Sequence, residues 1–162
     1  MKKINYFGSG SIKQLDTVES SLNTLAGRAL EIAGLIGKDF SVIEGHRSTE
    51  RQLQLFEEGK TQLTTGGKHN YFPSKALDFV PYHPIEKTLT GNPTQIRNLA
   101  AKYGKSYETM NALIMAEFHI IAMCFIQAAS EFDVEITWGG DWNRDGSSFD
   151  TNFMDWGHIE LT

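Results

Sequence analysis

Ala76-Leu77-Asp78-Phe79-Val80 is an apolar run broken by one carboxylate and stopped by Pro81. A run of that length and content reads as a short buried strand, and the proline at its end removes the donor that a further ladder bond would need. Asp78 is therefore placed on a strand. An earlier run, Phe40-Ser41-Val42-Ile43-Glu44, has the same character, and Gly45-His46-Arg47-Ser48 turns the chain out of it, so Arg47 falls at a strand end. Two more candidate strands close the chain, Glu135 to Trp138 and His158 to Leu161, joined by a long loop rich in Asp and Gly.

Helical periodicity fills the space between these runs. Ser21 to Ile36 carries Leu22, Leu25, Ala29, Ile32 and Ala33 at helical spacing, with Gly37 as a stop. Ser48 can cap a helix from Thr49 to Glu58, which Gly59 ends. Ser106 to Glu131 is the longest candidate, apolar on more than one face through Met110, Leu113, Ile114, Ile121 and Phe125, and is expected to be the central buried helix. A membrane span is the rival reading, but Glu117 and His119 fall in its middle, where an acidic group costs about 2.5 kcal/mol or more. Thr61 to Lys68 is polar and Gly-rich, which places His69 in a loop, and Pro81 to Pro93 holds three of the four prolines and reads as an irregular excursion. The pattern predicts one α+β domain over residues 1–162, a small antiparallel sheet flanked by helices with no internal repeat.

Composition narrows the function classes. With 162 residues and 40% hydrophobic content the chain suits a single domain with a real core. A net charge of -5 argues against surfaces built for nucleic acid phosphates or anionic lipid. The single cysteine, Cys124, lies in an apolar stretch, so no internal disulfide forms and a small buried hydrophobe is expected. After Met1-Lys2-Lys3 the residues Ile4-Asn5-Tyr6-Phe7-Gly8-Ser9-Gly10 lack the apolar run of a signal peptide, so synthesis and retention in the cytoplasm are expected.

His69, Asp78 and His158 supply two imidazoles and a carboxylate, and Asp155 precedes the last of them by three residues. Zinc held by three such ligands keeps a fourth position for water, and a nearby carboxylate can take that water's proton, which suffices to hydrolyse an amide. Each of the four falls at the edge or start of a predicted strand, where a sheet gathers side chains from distant positions. His83 and His119 are read as ordinary surface or hydrogen-bonded residues. Trp138, Trp142 and Trp156 suit either a peptide groove or the core. A second metal pattern is Asp141-Trp142-Asn143-Arg144-Asp145-Gly146, the alternating oxygen ligands and turn glycine that open a calcium loop. Position twelve holds Asn152 instead of Glu, leaving Asp150 as a substitute, and a plain Asp/Asn-rich turn is the competing reading.

Four segments together carry a family resemblance: Gly45-His-Arg-Ser-Thr-Glu-Arg-Gln52, Lys68-His-Asn-Tyr-Phe-Pro-Ser-Lys-Ala-Leu-Asp-Phe-Val-Pro81, Trp138-Gly-Gly-Asp-Trp142 and Asp155-Trp-Gly-His-Ile-Glu-Leu161. From about Phe40 onward the chain resembles the phage L-alanyl-D-glutamate endopeptidases, endolysins of the D-alanyl-D-alanine carboxypeptidase-like zinc peptidases. The resemblance implies His69, Asp78 and His158 as zinc ligands, Asp155 as base, Arg47 as the group that meets the polarised carbonyl, and Gln52 as a substrate contact beside it. It departs from the common pattern in three places. The gap between His69 and Asp78 is longer, Asp155 stands where many members have Glu, and Gly67 stands where a Ser often precedes the first ligand by two residues.

What the resemblance implies is a monomeric zinc endopeptidase that cuts the peptide stem of bacterial peptidoglycan between L-Ala and D-Glu to lyse a phage host, with calcium as a second cation. It would wait in the host cytoplasm and reach the wall after the membrane is permeabilised, without inserting into it. A D-Ala-D-Ala dipeptidase or carboxypeptidase on the same scaffold, and a non-catalytic wall-binding or virion-associated domain, are the alternatives.

Overall fold

A computed structural model describes residues 5–148 and 153–162. In chain order these form α1 (Ser9–Leu15), α2 (Ser20–Leu35), β1 (Phe40–Glu44), α3 (Thr49–Glu57), a 3-10 turn (Lys68–Asn70), β2 (Ala76–Pro81), α4 (Pro93–Lys102), α5 (Tyr107–Phe132), β3 (Ile136–Trp138) and β4 (His158–Leu161). The strands make one sheet in the order β1-β2-β4-β3, with every neighbouring pair antiparallel. The α+β architecture expected from the sequence is the one observed.

Strand alternation divides the sheet into two chemically different faces. Leu77 pairs with Ile159 and Val42 with Phe79, and these side chains are buried in one core with the inward residues of α2 and α5. Phe79 stacks on Phe125 of α5 at 5.5 Å between ring centroids, and Phe40 lies edge-on to Phe79 at 5.8 Å. Each such buried side chain contributes roughly 1.5–3 kcal/mol. Residues of opposite parity, Asp78, His158 and Glu160, turn away from this core.

The structure adds two helices that the sequence reading left out and corrects a loop. The irregular stretch ends at α4, where Pro93 begins the helix and Asn92 and Gln95 cap each other's backbone groups. Seven-residue α1 has no side-chain cap and gains its stability by packing on β1. His69, expected in an irregular loop, belongs to the 3-10 turn instead.

The long helix α5 is less central than expected. Met110, Ile114, Phe118, Ile121, Phe125 and Ala128 face inward, whereas Leu113, Met123 and Ile126 remain exposed. It has the length and hydropathy of a membrane span, and in the structure its inner face packs on α2, α4 and the sheet. Glu117 is tied to Lys38 at 2.7 Å, and His119 Nδ1–H donates to the Met115 carbonyl at 2.9 Å, which accounts for both polar residues in its middle. Cys124 is buried, and that burial pushes its thiol above the usual range.

Candidate metal centre and active-site cavity

β2 holds the centre of the site. Asp78 faces His158 across β4 on one side and Glu44 across β1 on the other, and directly opposed residues project to the same face. The β1 side depends on a bulge: Val42 pairs with Phe79, the next pair is Glu44 with Asp78, and Ile43 is passed over. An unbroken register would set Ile43 opposite Asp78. The 3-10 turn delivers His69 because Arg47 N–H donates to the His69 carbonyl at 2.8 Å and Asn70 Nδ2 donates to the Arg47 carbonyl at 2.9 Å.

Asp78 Oδ1 lies 3.1 Å from His69 Nε2 and 3.0 Å from His158 Nδ1, and the two nitrogens are 3.3 Å apart. The outer ring nitrogens have fixed partners. His69 Nδ1–H donates to the Gly45 carbonyl at 2.6 Å, and His158 Nε2–H donates to Glu160 Oε2 at 3.0 Å. Since those acceptors cannot donate, each outer nitrogen carries the proton and each inner nitrogen is left with a lone pair. Three electron-rich atoms so close together require a cation between them. Ligand atoms sharing one tetrahedral ion with bonds of about 2.0–2.2 Å stand roughly 3.3–3.6 Å apart, so an outward shift of a few tenths of an ångström would admit the ion. Both histidines are buried, so the residues fit a metal in donor type, spacing and tautomer.

Charge in the metal-free cluster follows the same logic. Burial opposes ionisation of Asp78, yet the two imidazoles beside it prevail and hold its carboxyl far below the usual carboxylate range. Burial likewise opposes charge on His158, but its bonds to Asp78 and Glu160, with the charges of Asp78 and Asp155, push it up to about 10. Without a metal, a proton on His158 supplies the missing cation. Asp155 is raised by burial and by the charge of Asp78, against the pull of His158, His69 and Arg47.

A cavity of about 510 Å³ opens over this cluster, and Arg47, Asp155 and Trp142 share its lining. Another cavity, about 540 Å³, also has Asp78 and Asp155 in its lining, together with Trp156. Asp155 and His158 are held together by a backbone bond, His158 N–H to the Asp155 carbonyl at 3.0 Å, and both are tied to Gly139. The Arg47 guanidinium donates to Glu44 through Nε and Nη2, to Gln52 Oε1 through Nη1 at 3.1 Å, and reaches Asp78 Oδ2 at 3.3 Å. Gln52 lines the cavity but is 2% exposed, and its amide nitrogen donates to the Leu63 carbonyl at 2.6 Å and to Thr61 Oγ1 at 3.2 Å. Its carboxamide is thus committed to Arg47 and to the loop behind it.

Asp141, Asn143 and Asp145 lie in their own turn after β3. Asp141 accepts from Asp145 N–H at 3.2 Å and Gly146 N–H at 3.0 Å, and Asn143 Nδ2 donates to Asp145 Oδ2 at 3.0 Å. Asp150 and Asn152, the later positions of that pattern, lie outside the described residues. Trp142, between Asp141 and Asn143, packs its ring 5.3 Å from that of His158. Trp138 is core, and His83 accepts from the backbone N–H groups of Ile85 and Glu86 away from the cluster. Glu44, as a partner of Asp78, is the member of the site that strand patterning alone does not reveal.

A small antiparallel sheet bearing Asp78 and His158 on one face, with His69 brought to them by the 3-10 turn beneath an open cavity, has the outline of a site for one metal ion. The chain belongs to the phage L-alanyl-D-glutamate peptidase family, whose model matches residues 4–92 and 105–162. It is 28% identical over 158 residues to the L-alanyl-D-glutamate peptidase of Escherichia phage T5, covering 96% of each chain. Its fold is similar to that of the Serratia marcescens L-Ala D-Glu endopeptidase ChiX, with a TM-score of 0.64, 22% identity, and coverage of 97% of this chain and 90% of that one.

Proposed function

We propose that the protein is a zinc endopeptidase, a single catalytic domain spanning residues 1–162, that hydrolyses the L-Ala to D-Glu bond of peptidoglycan stems in phage-induced lysis. The observation that carries this reading is the convergence of the two inner imidazole lone pairs and Asp78 at 3.0–3.3 Å inside a cavity shared with Asp155 and Arg47, in a member of this family. His69 Nε2, His158 Nδ1 and Asp78 would hold the ion, which supplies a water acidified to a pKa of about 7 and a polarised carbonyl. Asp155, whose raised pKa suits a group that gains and gives up a proton, takes the proton from the attacking water and delivers it to the leaving amine. Arg47, always charged, donates to the oxygen that becomes negative, an interaction whose loss costs about 3 kcal/mol in comparable sites. Gln52 supports the substrate side by fixing Arg47.

Digestion of purified peptidoglycan followed by mass spectrometry tests the assignment. New D-Glu amino termini should appear, with L-Ala left on the muramic acid. Free D-Ala as main product, with the L-Ala to D-Glu bond intact, would move the protein to the D-Ala-D-Ala peptidases. Release of nothing by zinc-loaded protein would leave a wall-binding domain. We take the working form to be a monomer held in the host cytoplasm until the membrane is permeabilised.

Calcium at Asp141, Asn143 and Asp145 is part of the same proposal. A cation there would neutralise a carboxylate-rich turn whose Trp142 rests on His158, linking its order to the metal centre. Calcium should raise turnover of the zinc-loaded enzyme, and Asp145→Ala should abolish that response with zinc retained. Calorimetry showing no calcium uptake would remove this element.

A further inference from the structure

Four cationic side chains, Arg47, Arg51, Lys60 and Lys68, line the cavity above the cluster, in a chain whose net charge is -5. Three have evident occupations. Arg47 is bound to Glu44 and Asp78, Lys60 pairs with Glu58 in solvent, and Arg51 lies exposed on α3 and donates to Gln54. Lys68 differs from them. It is half-buried at the start of the 3-10 turn, immediately before His69, and its ammonium donates to the Leu161 carbonyl at 3.0 Å. Among the described residues it forms no ion pair. A half-buried ammonium whose hydrogen-bond partner among the described residues is a neutral carbonyl has lost hydration without gaining a counter-charge there, and an arriving carboxylate offsets that loss.

We infer that Lys68 binds a carboxylate of the stem peptide on the leaving-amine side of the scissile bond, which deepens the function proposed above and rests on it. Leu161 is three residues beyond His158 on β4, so a strand rise of about 3.3 Å per residue sets its carbonyl roughly 10 Å along from that ligand. About three residues of extended peptide cover this distance, or two where one of them is joined through its side chain. Chemistry supplies two carboxylates within that reach. D-Glu joined through its side chain keeps a free α-carboxylate, and a diaminopimelate in third place carries another. Of the four carboxylates in the lining, Glu44 is bound to Arg47, Glu160 to His158 and Asp78 to both imidazoles, and Asp155 forms no ion pair with Lys68 among the described residues.

Three synthetic stem peptides separate the two sources: one with both carboxylates free, one amidated at the D-Glu α-carboxylate, one amidated at the third residue. For wild type, kcat/KM should fall about tenfold on amidation of the carboxylate that Lys68 contacts and little on amidation of the other. Lys68→Gln should lose about tenfold on the free acid and show no further loss on amidation, and Lys68→Arg should recover most of it. Indifference of wild type to both amidations, or an equal loss of Lys68→Gln on all three peptides, overturns the inference. Calorimetry with the same peptides reads Lys68 independently of cleavage. Carboxylate-dependent binding without hydrolysis would reject the endopeptidase reading and keep Lys68 as an anion anchor, whereas binding that ignores the carboxylates would reject Lys68 alone.

Discussion

Glu160 Oε2 stands 3.0 Å from His158 Nε2, two residues along the same strand, and thereby fixes which nitrogen of that imidazole is free to bind a metal. Removing the carboxylate lets the proton move to Nδ1, the atom that faces Asp78 and His69. Glu160→Ala should therefore lower zinc affinity by about 10–100-fold with the fold intact, and Glu160→Gln, which still offers an accepting oxygen, should lose less. Competition against a chromophoric chelator measures this. Equal affinities in wild type and Glu160→Ala would show that the contact does not orient the ring.

Metal uptake should also release a proton. In the metal-free protein the bonds to Asp78 and Glu160 overcome burial and push His158 up to about 10, so it is charged at neutral pH, whereas a ligand must be neutral. While pH lies below that value, apparent affinity then rises about tenfold for each unit by which pH increases, and weakens as pH falls. The same pKa implies that His158 stabilises the metal-free fold fully below its unfolded value of about 6.5 and loses that contribution as pH rises through 10. Zinc titrations in buffers of different ionisation enthalpy count the protons. Release near zero at pH 7 would mean that His158 is neutral before the metal arrives.

The strands were legible because Phe40 to Glu44 and Ala76 to Val80 are short apolar runs with clear stops. Asp78 and His158 stand out by residue type. Their convergence depends on register, and the bulge that lets Glu44 replace Ile43 opposite Asp78 leaves no mark in the strand pattern. Helix α4 was hidden by the prolines before it, although Asn92, Pro93 and Gln95 spell a helix start. The turn holding His69 is too short for any periodicity to announce it. The committed carboxamide of Gln52 is a tertiary fact, since Leu63 and Arg47 approach it from opposite sides in sequence.

Asp155 should display a conflict between stability and function. Burial and the neighbouring Asp78 charge raise its pKa, so the folded protein binds more protons than the unfolded chain between the ordinary carboxylate value and the raised one. Stability therefore falls as pH rises through that window, and an ionised Asp155 strains the neutral-pH fold. Asp155→Asn should raise the melting temperature of the metal-free protein at pH 7, keep zinc, and lower turnover by about 10²–10⁴. Activity of the wild type should decline on the acid side as Asp155 protonates. Full turnover in Asp155→Asn would remove it from the role of base.

Gly139 is where the main chain itself shapes the site. A Cβ there would lie 2.3 Å from the Asp155 carbonyl oxygen and 3.0 Å from the Cβ atoms of both Asp155 and His158. Backbone atoms cannot yield as a flexible side chain can, and Gly139 also donates to the His158 carbonyl and accepts from Asp155 N–H, each at 2.9 Å. Gly139→Ala must move Asp155 and His158 outward together, at a cost of about 1–3 kcal/mol typical of overpacking. Zinc affinity and turnover should both fall, in contrast to Asp155→Asn, where zinc is kept. Gly27 in α2 has nothing within 4 Å of its added Cβ, so Gly27→Ala should stabilise by about 0.5–1 kcal/mol through helix propensity. Thermal denaturation and zinc titration of both variants make the comparison. Wild-type zinc affinity in Gly139→Ala would show that the approach of Gly139 to Asp155 does not hold the two site residues in place.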